Sequence, residues 1–233
     1  MKAAYLLSIG IVLLSACSTQ KFIKFSPKPE VVTTKKLETF LKENKIPKVV
    51  LRVPDTKDNT TQKDNNDFIY NIIEKEFLKA GYIVRDRALF SEIVKKSGEK
   101  IDYSQIKKQT DTDLILELTK LDKNVVYRTN KYYTNSGKEG VFSEGKSISV
   151  KGVSVAFKVV LIGENEFAGS YNFNKVYCSD GCEVVIGKRG PKFPYSSKKD
   201  VQPYQVVEQP FWEDFVGSAT QELIESLQAL KEK

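Results

Sequence analysis

The chain has 233 residues, a formal net charge of +7, 40% hydrophobic and 29% charged residues, and no histidine. That length supports one large domain or two small ones with a real core, and the composition fits a folded globular protein rather than a disordered or many-helix membrane chain. Without histidine there is no Ser-His-Asp triad, Cys-His pair, histidine-bearing zinc site or imidazole proton shuttle, so any enzyme chemistry would rest on carboxylates, lysine, tyrosine or hydroxyls.

The N-terminus reads as an export signal. Lys2 supplies a positive start, and Ala3 to Leu14 is an apolar run too short to span a bilayer as a mature helix. It ends in Leu14-Ser15-Ala16-Cys17, which resembles the bacterial lipobox. The resemblance implies that residues 1–16 are a signal peptide and that Cys17, acylated, becomes the first mature residue. More than one acyl chain anchors a protein stably. Ser18 and Thr19 follow, and by resemblance to enterobacterial sorting the lack of an aspartate there points to the outer membrane, periplasmic face. Residues 17–34, with Lys21, Lys24, Lys28, Pro27 and Pro29, read as a lipidated tether with a reach of about 23 Å. Residues 35–233 then form the periplasmic domain.

A short helix is expected over Lys35 to Glu43, with Leu37, Phe40 and Leu41 on one face. Val49 to Val53 reads as a strand stopped by Pro54, and Asp55 to Asn66 as a polar loop. A helix from about Asp67 to Ala80 buries Ile69, Ile72, Ile73, Phe77 and Ala80, and Gly81 stops it. Tyr82 to Arg85 is the next strand. Asp86 caps a helix through Lys96, ended by Gly98, with Leu89, Phe90, Ile93 and Val94 as core candidates. Asp102-Tyr-Ser-Gln105 resembles a capping box, and Asp113 to Thr119 reads as a third strand.

From Asn124 the pattern turns to long β segments. Asn124 to Tyr133 is read as strand, followed by a Gly-, Ser- and Lys-rich connection. Ser147 to Ile162 is a long strand whose apolar parity shifts at Lys151-Gly152, the mark of a β-bulge. Gly163 to Glu166 turns it, and Phe167 to Tyr177 returns antiparallel. Gly187 to Tyr204 is a basic, proline-containing loop, and Phe211 to Lys231 an amphipathic helix with Trp212, Val216, Ala219, Leu223, Leu227 and Leu230 inward. The fold class is therefore α+β: a single domain with a mixed β-sheet, a βαβα start, a long antiparallel hairpin and a C-terminal amphipathic helix.

Cys178 and Cys182 flank the turn signal Asp180-Gly181, and export places them in an oxidising compartment. A redox pair usually has two intervening residues rather than three, and no further mature cysteine or histidine completes a metal shell, which favours a structural disulfide over both.

The order strand, polar loop, helix, Gly-Tyr-Ile-Val-Arg-Asp-Arg, helix, strand, β-hairpin and C-terminal helix resembles one family of periplasmic domains. These are shared by the curli-secretion-channel lipoproteins (CsgG type), the penicillin-binding-protein-activator lipoproteins (LpoB type) and the N-terminal domain of TolB. Val49 to Leu121, Val153 to Tyr171 and Phe211 to Leu230 carry the match. Its most specific piece is Phe77-Leu-Lys-Ala-Gly81 followed by Val84-Arg85-Asp86-Arg87. The resemblance implies a non-enzymatic envelope lipoprotein that binds a protein partner in envelope assembly or secretion. The alternative is a subunit of an oligomeric outer-membrane secretion channel, with residues 123–151 as its membrane strands. Arg128, Asn130, Lys131, Lys138, Glu139, Glu144 and Lys146 give that segment no clean lipid-facing stripe.

Other chemistry is weaker. Asp55, Asp58, Asp64 and Asp67 lack calcium-loop spacing. Glu164 and Glu166 sit at an exposed turn tip, a poor setting for the carboxylate pair of a cell-wall hydrolase. Trp212 reads as a core anchor rather than a sugar platform. Lys188, Arg189, Lys192, Lys198 and Lys199, interleaved with Phe193 and Tyr195, suit an anionic surface such as lipid, cell-wall polymer or an acidic protein. No cofactor, metal or catalytic residue is implied, and no nucleic acid is expected outside the cytoplasm.

Overall fold

The computed structural model describes residues 20–52, 63–96, 103–194 and 204–232, with the side chains of 63–66, 104 and 105 left out. Residues 1–19, Cys17 among them, lie outside the described residues.

The chain is structured from its first described residues, which corrects the expected tether. β1 (Lys21–Ile23) and β2 (Glu30–Thr33) are both sheet strands. The reason is local: Ile23 and Phe25 sink into a core while Lys24 and Lys28 stay in water, and Pro27 and Pro29 mark the crossing between two sheets. α1 (Lys35–Glu43) starts where expected, its Leu37 N–H donating to the Thr34 hydroxyl at 3.3 Å, and buries Leu37 and Leu41.

β3 (Lys48–Arg52) leads to α2 (Lys63–Lys79), β4 (Ile83–Val84), α3 (Arg87–Lys96) and α4 (Tyr103–Thr110). α2 begins four residues before the expected Asp67, because its first turn is polar and leaves no periodicity to read. Gly81 ends its C-terminal turn at φ +82, where a side chain would be strained. Asp86 caps α3, accepting from the Leu89 N–H at 2.7 Å. Leu89 itself is 57% exposed, against expectation, since Phe90, Ile93 and Val94 form the inward stripe and Leu89 lies off it.

β5 (Leu114–Thr129) joins the expected third strand and much of the following segment into one 16-residue strand. β6 (Lys131–Thr134) and β7 (Glu139–Val141) form a hairpin, β8 (Ile148–Leu161) and β9 (Glu166–Val176) the long antiparallel pair. β11 (Gly190–Lys192) puts a strand inside the expected Gly187–Tyr204 loop, β10 (Cys182–Gly187) leads into it, and α5 (Gln209–Glu232) follows. The fold is α+β, with two sheets instead of one: a six-stranded β2-β9-β8-β5-β3-β4, parallel only where β3 meets β4 and β5, and a five-stranded β11-β10-β1-β6-β7.

The parity shift in β8 has a cause other than a bulge at Lys151-Gly152. The β8–β9 register runs unbroken from Gly152 to Val159, and the extra residues sit on β5, one between Leu118 and Lys120 and one between Asp122 and Val125. Side chains alternate faces along a strand. Val153, Val155, Phe157, Val159 and Leu161 face the main core under α1, α2 and α5, where Trp212, Val216, Ala219, Leu223, Leu227 and Leu230 all pack. On the opposite face, Ile148 and Val150 enter a second core with the small sheet, and Val160 a third with α3 and α4. The apolar cover changes sides; the strand does not. Gly152 lies where the sides change, because a Cβ there would meet the Tyr127 ring at 2.7 Å and the Lys175 carbonyl at 2.6 Å.

Candidate interaction surface

Between the second and third cores, none of the described helices contributes to a core on that face of the large sheet. Its residues follow from register. Next to the apolar row Val50–Ile115–Val160 comes the row Arg52–Glu117–Lys158, continued by Ser170 and Val32. Arg52 Nη1 donates to Glu117 Oε1 at 2.6 Å, and Lys158 Nζ lies 3.5 Å from Glu117 Oε2. Glu117 is only 8% exposed, so a largely desolvated carboxylate is held by two cations from neighbouring strands. Beyond that row lie Ala156 and Asn172, then Ser154 and Asn174. The Ser154 hydroxyl donates to Asn172 at 3.3 Å, and Asn174 accepts from the Tyr127 hydroxyl at 3.2 Å. At the rim Val32 is 63% and Phe167 46% exposed, with the Lys158 ammonium 5.3 Å from the Phe167 ring. Fixed charge, amides and exposed apolar side chains suit a face that recognises another macromolecule.

Sequence reading did not single out this row. Its signal was present: Arg52 ends an apolar strand, Glu117 interrupts Leu114–Leu118, and Lys158 interrupts Val153–Leu161. A single charge inside an otherwise apolar strand marks a sheet with one face left partly open.

The sequence-predicted residues lie elsewhere. Cys178 and Cys182 form a disulfide, their Cα atoms 4.9 Å apart, at the turn from β9 to β10. Cys178 has φ +69, and its carbonyl accepts from both Phe25 (3.3 Å) and Gly181 (3.2 Å). Lys188 and Arg189 are exposed at the β10–β11 tip; Phe193 is buried, stacked on Tyr204 at 3.6 Å; Tyr195, Lys198 and Lys199 are outside the described residues. Arg85, Asp86 and Arg87 stitch the body. Arg85 and Lys48 both bond Asp111, the latter at 2.7 Å, and Arg87 pairs with Asp67 and Glu74. Asp55 and Asp58 lie outside the described residues. Glu166 is bonded by Lys36, with Glu164 3.9 Å from the same ammonium, and Trp212 is buried. Burial pushes the Tyr82 phenol up to about 12 and the Tyr171 phenol higher still, so both are protonated at neutral pH.

Architecture and surface together define an α+β protein with two sheets, and no helix among the described residues is long and apolar enough to cross a membrane. No protein-family model matches the chain, and no curated protein does. Solved structures similar to it include the PelC dodecamer from Paraburkholderia phytofirmans, at 8% identity and a TM-score of 0.34, covering 86% of this chain and 98% of that one. Lipoprotein GNA1162 from Neisseria meningitidis is similar at 12% identity and a TM-score of 0.32, covering 77% of this chain and 99% of that one.

Proposed function

We propose that the chain is a lipid-anchored, non-enzymatic envelope protein of the kind its sequence resembles, held through Cys17 on the periplasmic face of the outer membrane. It binds a protein partner in envelope assembly or secretion. The observation that carries the binding role is the sheet face with no described helix over it, where Arg52, Glu117 and Lys158 are fixed in register beside exposed Val32 and Phe167. The lipid concentrates that face near partners in the same membrane, raising effective concentration without new contacts. The Cys178–Cys182 disulfide suits an oxidising compartment.

The channel reading has less to stand on. Tyr127, Tyr132, Phe142, Ile148 and Val150 pack in the protein's own second core, and the exposed positions alternating with Tyr127 on β5 are Asn124, Val126 and Arg128, of which one is apolar. Three measurements test the proposal. Cys17→Ser is expected to abolish the acyl mass and release the protein from membranes, and unchanged fractionation would sink the anchor. Photo-crosslinkers in cells at Val32 and Phe167 are expected to give a discrete adduct that Lys158→Glu abolishes, with none from Lys95 on α3. A ring of eight or more subunits in mild detergent would instead favour the channel.

A further inference from the structure

The small sheet places a set of cations around the point where the chain comes in from its N-terminus. In β1, Lys21 pairs with Val184 and with Thr134, antiparallel to both β10 and β6. The N-terminal end of β1 therefore lies toward the β10–β11 tip on one side and the β6–β7 tip on the other. The Asn135 amide, at the second tip, donates to the Gln20 side chain at 3.1 Å. Lys188 and Arg189 are exposed at the first tip and Lys138 at the second. Lys146 joins them: it packs over Gly190 and helps line a small cavity between the 143–146 turn and the β10–β11 hairpin. None of these four forms an ion pair among the described residues, and Glu144 is the one carboxylate in those turns.

Cys17 is three residues before Gln20, a span of at most about 11 Å. We infer that this end of the small sheet rests on the anchoring membrane and binds anionic phospholipid headgroups through Lys138, Lys146, Lys188 and Arg189. The inference rests on the lipid-anchor reading and adds an orientation to it. An acyl chain on Cys17 leaves the hairpin tips too little tether to leave the headgroup layer. Each cation near an anionic surface adds about a fivefold gain in partition, equivalent to about 1 kcal/mol. The α3–α4 end, at the far end of β8, then points away from the lipid.

The test separates electrostatics from acylation. The mature chain carrying Cys17→Ser, and so no lipid, is expected to sediment with vesicles of equal parts phosphatidylglycerol and phosphatidylcholine, not with pure phosphatidylcholine, and to be released by high salt. Lys188→Gln with Arg189→Gln should lower that partition roughly 25-fold. Lys95→Gln with Lys96→Gln, the same charge change on exposed α3, should change it less than twofold. Equal loss from both pairs, or indifference to phosphatidylglycerol, overturns the inference. The acyl mass on Cys17 of the native protein is read separately: its presence beside lipid-indifferent binding defeats the docking surface alone, and its absence defeats the anchor and the orientation with it.

Discussion

The large and small sheets are held together by different means. The large sheet is covered by three helices on one face, and its core takes in Phe157, Tyr171, Trp212 and Leu223 over the long strands β5, β8 and β9. The small sheet has strands of three to six residues, a smaller core that includes Ile23, Phe142 and Val184 and borrows Ile148, Val150 and Val176 from the large sheet, and a disulfide at its corner. Helix-covered burial scales with area, while short strands gain too little apolar surface to offset their own chain entropy. The small sheet is therefore a dependent of the large one, joined to it through β5, β8 and the β9–β10 turn.

The largest effect is expected from breaking the body. Phe157 is fully buried and packs edge-on to Phe173 at 6.3 Å. Phe157→Ala should cost about 3–5 kcal/mol, a large share of a domain's stability, read as a lower urea midpoint at unchanged slope. Both sheets should melt together, and a surviving small-sheet signal would show that it stands alone. Cys178→Ser with Cys182→Ser acts from the other side. The loop is short, so the loss is about 2 kcal/mol. Amide exchange should quicken in β1, β6 and β10 while α5 and the centre of β8 keep their protection; uniform quickening would erase the distinction.

The charged row tests the boundary. Glu117→Ala leaves Arg52 and Lys158 without their shared counter-charge on a half-covered face. It should cost about 1–3 kcal/mol, and a double-mutant cycle with Arg52→Ala should return a coupling of about 1 kcal/mol or more. Zero coupling would make the row three independent surface charges.

The same division governs what could be read from the chain. The body was legible because helix periodicity and strand runs are local: α1, the stripe of α5 and the apolar face of β8 follow from spacing alone. The small sheet was not. β1 is three residues long and β11 contains Pro191, so neither carries a strand signature, and Lys21, Lys24 and Lys28 made a strand region look like solvent-exposed tether. The strands that β1 pairs with, β6 and β10, lie more than a hundred residues away in sequence, where no local pattern reaches. The bulge was sensed at the right level of the sheet and on the wrong strand, because parity in β8 records which face is covered, and only register shows that β5 holds the extra residues.

The smallest effects separate the regions by pH. In the body, the Lys48 ammonium bonded to Asp111, with Arg85 beside it, holds that carboxyl below its ordinary value. In the small sheet, the bond from Lys131 at 2.7 Å does the same for Glu139. Both folded pKa values are depressed, so each contribution is present above the ordinary carboxylate range and lost as pH falls through the folded value. Both groups are exposed and screened, so each contribution is slight. Reach makes the difference. Asp111 joins the start of β3 to the strand end at Arg85, whereas Glu139 and Lys131 belong to adjacent strands of one hairpin. Asp111→Asn should flatten the acid limb of global stability, measured as urea midpoints from neutrality down through the carboxylate range. Glu139→Gln should leave that curve in place and change only amide exchange in β6 and β7. A global shift from Glu139→Gln would mean that the small sheet bears on the stability of the whole fold, and that the two regions are one cooperative unit in acid as well as in urea.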